Sequence, residues 1–202
     1  MNDIDLNLPS PGYKALIFDL DGTLVDSMPA HFKAWSQALA DQGEPGVCPE
    51  DIFYAMGGRP TRDIVEIING EKGLHLDPDA VALSKKRHYL KVLSTVELLE
   101  EVASFARDNR GKVPMAVASG GSRVVVEKTL QSVGISDWFD EVVSSDEVEN
   151  GKPAPDIFLE TALRLGVAPK DCVVFEDGRA GIAAARAAGM EVVVVPTHLH
   201  LD

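Results

Sequence analysis

The sequence predicts an α/β protein: a doubly wound parallel sheet with an all-helical segment inserted after its first strand. Short apolar runs rich in Val, Ala and Ile recur at wide intervals, with helical patterns between most of them. Runs without polar alternation are expected of parallel strands that are covered on both faces. Strands that alternate with helices imply ligand sites outside the carboxyl ends of the strands.

Five segments are predicted strands, and four segments between them are predicted helices. The strands are Ala15 to Phe18, Val113 to Ala118, Glu141 to Ser144, Val173 to Phe175 and Val192 to Val195. The helices are Val96 to Asn109, Ser122 to Gly134, Asp156 to Leu165 and Arg179 to Ala188. Gly134, Gly166 and Gly189 stand at or just after three of the helical patterns, as is typical of helix C-termini.

The alternation of strands and helices stops from about Leu24 to Ser94. An apolar stripe at helical spacing, formed by Met28, Phe32, Trp35 and Leu39, predicts one helix there. A second helix is predicted around 64–68 and a third over 78–93. We therefore expect a helical cap over the carboxyl edge of the sheet, with residues 24–94 as the cap domain and residues 1–23 and 95–202 as the α/β core.

Composition restricts the class of partner. The 202 residues carry a net charge of −13, which argues against nucleic acid and anionic membrane surfaces, since both need basic patches. Two cysteines, Cys48 and Cys172, are too few for a disulfide framework, and both are read as buried apolar residues. The first twelve residues are polar, and no apolar run approaches the ~20 residues that span a bilayer. We expect a cytoplasmic protein that works as a monomer.

Four polar segments follow or lie close behind predicted strand ends, so the topology would bring them to one edge of the sheet. They contain Asp19 with Asp21, Ser119 with Gly120, Lys152, and Glu176 with Asp177. Two carboxylates can divide the work of phosphoryl transfer, one as nucleophile and one as acid and base. A hydroxyl beside backbone amides at a helix start suits phosphate oxygens, and the acidic pair suits Mg²⁺.

Each segment alone also has an ordinary structural explanation. Acidic residues and glycines after strands are common in turns and helix caps, Ser119 could simply cap the next helix, and a lysine before proline is usually a solvated loop residue. All four segments in this order at one sheet edge make coincidence a poor explanation.

These residues resemble the motifs of the haloacid dehalogenase (HAD) superfamily, in its phosphatase and phosphomutase branch. Asp19-Leu20-Asp21-Gly22-Thr23 resembles the first motif, Ser119 the second, Lys152 the third and Glu176-Asp177 the fourth. The resemblance covers about Gly12 to Pro196 and implies a Rossmann-like, three-layer core. It is strongest to the β-phosphoglucomutase-like subgroup, through strings such as His31-Phe32-Lys33-Ala34-Trp35 and Lys152-Pro153-Ala154-Pro155-Asp156.

The resemblance implies a role for each residue of the core. Asp19 would form an aspartyl-phosphate, and Asp21 would be the acid and base; dehalogenases lack that second carboxylate, so Asp21 favours phosphate esters. Asp19, the main-chain carbonyl of Asp21, and Asp177 would hold Mg²⁺, with Glu176 in the ion's immediate surroundings. Ser119 and Lys152 would bind the phosphoryl oxygens. Gly22, Thr23 and Gly120 would provide loop shape, amides or a hydroxyl.

The candidate cap residues each have an ordinary structural interpretation beside the functional one. His31 matches a cap histidine of the subgroup, but it lies one turn before Trp35 and could merely pack. Lys85 matches a cap lysine that meets the distal part of the substrate, but a solvated basic face explains it equally. Arg59 and Arg62 lie in a stretch that resembles the specificity loop and could reach a sugar or a second phosphate. The mutases' distal-phosphate arginine aligns more naturally near Thr61.

We therefore predict a Mg²⁺-dependent phosphatase that acts on a small phosphate ester, a sugar phosphate such as a hexose phosphate. The first alternative is a β-phosphoglucomutase, which returns the phosphoryl group to a sugar. A mutase needs firm contacts to a distal phosphate, and this sequence offers no clear arginine for it. The second alternative is a binding or regulatory protein without catalysis, which would have no use for Asp21.

Overall fold

The computed structural model describes residue 9 and residues 12–57 and 59–196. Its strands are β1 (Ala15–Phe18), β2 (Val25–Asp26), β3 (Glu97–Leu98), β4 (Met115–Ser119), β5 (Glu141–Ser144), β6 (Cys172–Glu176) and β7 (Glu191–Val194). Five of them form one parallel sheet in the order β5-β4-β1-β6-β7. With β1 at the centre and crossovers to both sides, the predicted doubly wound α/β fold is confirmed.

The helices of the core are α5 (Glu100–Asn109), α6 (Arg123–Ser132), α7 (Asp156–Leu165) and α8 (Arg179–Ala187), numbered to follow four helices of the cap. Successive residues of β1 point to opposite faces of the sheet, as the pleat requires. Leu16 and Phe18 pack with α5 and α6, whereas Ala15 and Ile17 pack with α7 and α8. All four are fully buried, which explains the continuous apolar run in the sequence.

Between strand β2 and residue 94, the α-helices of the described insert are α1 (Met28–Asp41), α2 (Glu50–Ala55), α3 (Thr61–Lys72) and α4 (Pro78–Val92), so the expectation of an all-helical insert from residue 24 is wrong at Val25–Asp26. The insert has a hydrophobic cluster of its own, in which Trp35 and Leu39 are buried and Met28 and Phe32 pack against them. The stripe predicted on the first cap helix is therefore confirmed. α2 is an addition, because six residues are too short to show a helical period.

A two-stranded antiparallel ribbon, β2 with β3, joins the cap to the core. The predicted helix from Val96 is wrong in its first turn, because Glu97 and Leu98 pair with Asp26 and Val25 and the helix begins only at Glu100. Each of these two-residue strands is stabilised by pairing with a strand some seventy positions away in the sequence.

Other boundaries shift by one or two residues. Val113 lies outside β4, because Pro114 has no N–H to contribute to the ladder and the strand begins at Met115. Cys48 and Cys172 are buried free cysteines, as expected. Of the helices in the described ranges, none has the length and apolar character needed to cross a bilayer.

Candidate active site

The polar residues at the carboxyl ends of the central strands lie close together. β1 pairs with β4 on one side and with β6 on the other, so the residues that end these strands lie side by side. Asp19 follows β1 directly, and its N–H donates a hydrogen bond of 2.9 Å to the carbonyl of Phe175. Ser119 ends β4 and Glu176 ends β6. The predicted convergence at the carboxyl edge is therefore found.

Lys152 reaches the same edge from the loop before α7 and is 2% exposed. Its ammonium lies 2.5 Å from Oδ1 of Asp19 and 2.7 Å from Oε1 of Glu176, and it donates to the carbonyl of Ala118 at 3.2 Å. Burial acts to lower the pKa of Lys152, but the two carboxylates outweigh burial and hold that pKa above its usual range. The ammonium is therefore charged, and it orients one oxygen of Asp19.

Both carboxylate oxygens of Glu176 are engaged. Oε1 accepts from Lys152, and Oε2 accepts from the N–H of Gly178 at 2.6 Å. Gly181 on α8 lies against this carboxylate so closely that a Cβ there would overlap it. Glu176 is thus clamped between the lysine and the start of α8.

Asp177 is held by the loop that follows Asp19. Thr23 donates from Oγ1 to Oδ1 of Asp177 at 2.8 Å. Gly22 has a φ of 85° and packs against the same carboxylate, where a Cβ would lie 2.9 Å from Cγ of Asp177. Gly22 and Thr23 therefore position Asp177 and are not part of the cavity lining.

The core side of the site carries more buried carboxylates than one lysine can balance. Burial raises the pKa of Asp19, and Glu176 and Asp177 raise it further, against the opposing effect of Lys152. Burial and the neighbouring Glu176 raise the pKa of Asp177 to about 7. Unbalanced buried carboxylates are the environment in which a divalent cation is favourable.

The donor set also fits a hard cation that needs few protein ligands. Within the described ranges, no cluster of three or more His, Cys, Asp or Glu side chains is placed to hold a metal. Mg²⁺ is commonly bound by one or two carboxylates, with water and substrate oxygens completing its shell. Two carboxylates and one main-chain carbonyl, the ligands that the sequence predicts, are donors of this kind.

Asp21 has partners separate from those of Asp19. Its Oδ1 accepts from Oγ of Ser27 at 2.5 Å and lies 2.9 Å from Nε2 of His31. Burial acts to raise the pKa of Asp21, but His31 and Ser27 outweigh burial and lower it to about 2. Asp21 is therefore a carboxylate in this arrangement, and burial lowers the pKa of His31, so the neutral imidazole donates from Nε2.

A cavity lies between the sheet edge and the cap. Asp19, Asp21, Gly120 and Gly121 line it from the core, and the cap contributes Met28, His31, Phe53, Met56, Gly57, Arg59, Thr61, Ile64 and Lys85. Lys85 donates to Oγ1 of Thr61 at 3.4 Å and lies 5.6 Å from the ring centre of Phe53. Burial, opposed by Asp21, lowers the pKa of Lys85 to about 8.

Seven predicted site residues lie outside this lining: Gly22, Thr23, Arg62, Ser119, Lys152, Glu176 and Asp177. Arg62 forms an ion pair of 2.5 Å with Asp79 on the exposed surface of the cap, with both side chains about two-thirds exposed or more. Ser119 is buried behind the cavity wall, where its Oγ accepts from the N–H of Gly121 at 3.0 Å. Of the two predicted arginines, only Arg59 lines the cavity.

Two further residues contact Asp21 or its partner His31 and have no predicted role: Ser27 contacts Asp21, and Tyr89 contacts His31. Ser27 stands four residues before His31, and Tyr89 stands four residues after Lys85. A spacing of four places side chains on one face of a helix, so this spacing was the available signal. It does not identify the residue that each side chain contacts, which is Asp21 for Ser27 and His31 for Tyr89.

Comparison with known proteins shows which family the sequence matches. A family model described as a haloacid dehalogenase-like hydrolase matches residues 13–189. The fructose-1-phosphate phosphatase YqaB of Escherichia coli K12 is 42% identical over 186 residues, covering 91% of this chain and 96% of that protein. A phosphorylated carbohydrates phosphatase of Thermotoga maritima is 32% identical over 189 residues, covering 92% of this chain and 86% of its own length.

The chain is also similar to a solved structure whose name gives a mutase and not a phosphatase. The β-phosphoglucomutase of Clostridium difficile superposes with a TM-score of 0.80 at 25% identity. The superposition covers 94% of this chain and 93% of that chain.

Because Gly181 packs against Glu176, glycine-to-alanine substitution should affect stability in opposite directions at Gly181 and at Gly70, a helical glycine with free space around it. Gly181→Ala should lower the free energy of unfolding by about 1–3 kcal/mol, because the new methyl group overlaps the Glu176 carboxylate. Gly70→Ala, in α3, should raise it by about 0.5–1 kcal/mol, because nothing lies near its Cβ and alanine favours the helix. Urea denaturation of both variants measures the two effects, and stabilisation by Gly181→Ala would refute the clamp.

Proposed function

The chain belongs to the haloacid dehalogenase-like hydrolase family, and we propose that it is a Mg²⁺-dependent phosphatase of a small sugar phosphate. The observation that carries this proposal is the pair of carboxylates, Asp19 and Asp21, which line one cavity but have separate partners. Asp19 is oriented by a buried ammonium, and Asp21 is held by Ser27 and His31. A nucleophile and an acid/base need such separate environments.

In the first half of the reaction, Asp19 attacks the phosphorus of the ester. A bond forms between the carboxylate oxygen and phosphorus, the bond from phosphorus to the sugar oxygen breaks, and that oxygen takes a proton from Asp21. Asp21 must be protonated for this step, and an incoming anionic substrate favours protonation because nearby negative charge raises a carboxyl pKa.

In the second half, Asp21 acts as the base. It accepts a proton from water while the water oxygen attacks the aspartyl-phosphate, which releases inorganic phosphate and restores Asp19. The hydrogen bonds from Ser27 and His31 favour the carboxylate form that this step requires.

The phosphoryl oxygens would be bound by Lys152, the hydroxyl of Ser119 and the amide of Gly120. The Lys152 ammonium already donates to Asp19, Glu176 and the carbonyl of Ala118, so it would exchange one of these hydrogen bonds for one to a phosphoryl oxygen. Asp19, Asp177 and the main-chain carbonyl of Asp21 would hold Mg²⁺, which when bound neutralises charge on the phosphoryl oxygens. We assign Glu176 to Lys152, since both of its oxygens already accept hydrogen bonds.

The cap would select the sugar. Arg59, Thr61 and Lys85 offer donors for hydroxyl groups, while Met28 and Phe53 provide apolar wall. The names of the two phosphatase relatives support a phosphorylated carbohydrate, so we propose a hexose phosphate as substrate. We propose that the protein acts as a monomer in the cytoplasm.

A β-phosphoglucomutase is the second candidate, favoured by the superposition and by the two cations of the cap that line the cavity. Of the two arginines considered for a distal phosphate, Arg62 is paired with Asp79 outside the cavity, which leaves Arg59 with Lys85 for that role.

The reaction is tested by incubating purified protein and Mg²⁺ with a panel that includes fructose 1-phosphate, glucose 6-phosphate and β-glucose 1-phosphate. We expect stoichiometric release of inorganic phosphate from at least one hexose phosphate. Both free phosphate and isomerised sugar phosphate are measured. Conversion of β-glucose 1-phosphate to glucose 6-phosphate without free phosphate would replace hydrolysis by the mutase reaction.

Asp21→Asn should lower kcat by about 10²–10⁴ because the amide can neither donate the proton to the leaving group nor accept one from water. Asp108→Asn, an exposed change on α5, is the matched control and should leave kcat unchanged. Steady-state kinetics on the best substrate of the panel gives both values. Turnover by Asp21→Asn at the wild-type rate would remove Asp21 from the mechanism.

Removal of the metal should abolish turnover, and added Mg²⁺ should restore it. Mg²⁺ should also raise the thermal unfolding midpoint of the apo wild type, because it relieves the repulsion among buried carboxylates. Asp177→Asn removes one ligand and should lose most of that rise. Full activity in excess chelator, or an equal rise in the variant, would contradict the assigned metal site.

A further inference from the structure

A buried tyrosine connects the cap to the core beside the acid/base group. Tyr89 lies on cap helix α4, is 1% exposed, and places its hydroxyl oxygen 3.2 Å from Oγ1 of Thr129 on core helix α6. Its ring stacks on the imidazole of His31, with centroids 3.9 Å apart and planes 4° from parallel. Tyr89 therefore touches both a core helix and the residue that contacts Asp21.

The direction of the hydroxyl contact follows from the partners of Thr129. The Thr129 hydroxyl donates its one proton to the carbonyl of Val125 at 2.9 Å, so it accepts from Tyr89. Burial raises the pKa of Tyr89 further above its usual range, so the phenol keeps its proton and remains a donor.

The orientation of His31 depends on this ring. A histidine that must aim one nitrogen at a partner is usually held by a hydrogen bond to its other nitrogen. Here Nε2 lies 2.9 Å from Asp21, but Nδ1 is buried and has no hydrogen-bond partner among the described residues. One hydrogen bond leaves the ring free to rotate about it, and a parallel ring at 3.9 Å removes that freedom.

We propose that Tyr89 is a positioning residue for the proposed reaction: its ring fixes the His31 imidazole against Asp21, and its hydroxyl anchors that arrangement to core helix α6. This inference rests on the proposed function, since it assigns Tyr89 a part in the proton transfers of Asp21. Tyr89 lies outside the cavity lining, so a change there should alter kcat and leave KM nearly constant.

The test compares two substitutions of Tyr89 with a packing control on the same helix. Tyr89→Leu removes the stack and should lower kcat by about tenfold or more, with KM within about twofold, because proton transfer depends on placement. Tyr89→Phe keeps the stacked ring and should retain kcat within about threefold. Val81→Ala makes a cavity in the cap cluster away from His31 and should leave kcat unchanged.

A double-mutant cycle with His31→Ala separates positioning from packing. If Tyr89 acts through His31, Tyr89→Leu should have almost no further effect on kcat once His31 is alanine. Circular dichroism and thermal unfolding of each variant ensure that only folded proteins are compared. Should Tyr89→Leu prove too unstable, Tyr89→Met replaces it as the aliphatic variant.

Several outcomes would overturn the inference: wild-type kcat in Tyr89→Leu, an equal loss in Tyr89→Phe, or a full additional loss in the His31→Ala background. The failure of the proposed function is recognised separately. A wild type that hydrolyses no phosphate ester of the panel removes the proposed function, whereas an active wild type with any of these outcomes removes only the role of Tyr89.

Discussion

The buried ion pairs of Lys152 with Asp19 and Glu176 are the constraint on which the rest of the site depends. A buried ammonium is tolerated only where carboxylates and hydrogen bonds compensate for its lost hydration. The segments that carry Asp19, Lys152 and Glu176 must therefore pack together in the folded protein. The same contacts orient the oxygen of Asp19 and fix the start of α8 through Glu176. Removing either carboxylate would leave a buried charge under-compensated, so the stability of the core and the geometry of its chemistry have one origin.

The parts that could be predicted from sequence are those that local rules determine. The bounds of Ala15–Phe18 are predicted correctly because a buried parallel strand gives an uninterrupted apolar run. The sheet then brings Asp19, Glu176 and Asp177 together, since parallel strands end at the same edge. The β2–β3 ribbon could not be found in this way, because each strand is two residues long and its pairing is long-range.

The cap side of the site depends on which faces of its helices meet the core, and a sequence does not state that directly. Arg59 and Arg62 are three residues apart, yet one lines the cavity and the other pairs with Asp79 at the surface. The sequence contains no signal that marks Tyr89 as part of the site, because a tyrosine in an amphipathic helix is usually a core residue. Its significance appears only when α4 is placed against α6 and α1.

The two carboxylates of the site therefore depend on different parts of the molecule. Asp19 is held from within the core, by a lysine that is almost inaccessible to solvent. Asp21 is held through its Oδ1 by two donors: His31 on cap helix α1, and Ser27, which directly precedes that helix. These two donors belong to the start of the insert, whereas the ammonium that orients Asp19 belongs to the core. In the proposed mechanism, the cap would therefore influence both the choice of sugar and the protonation of Asp21.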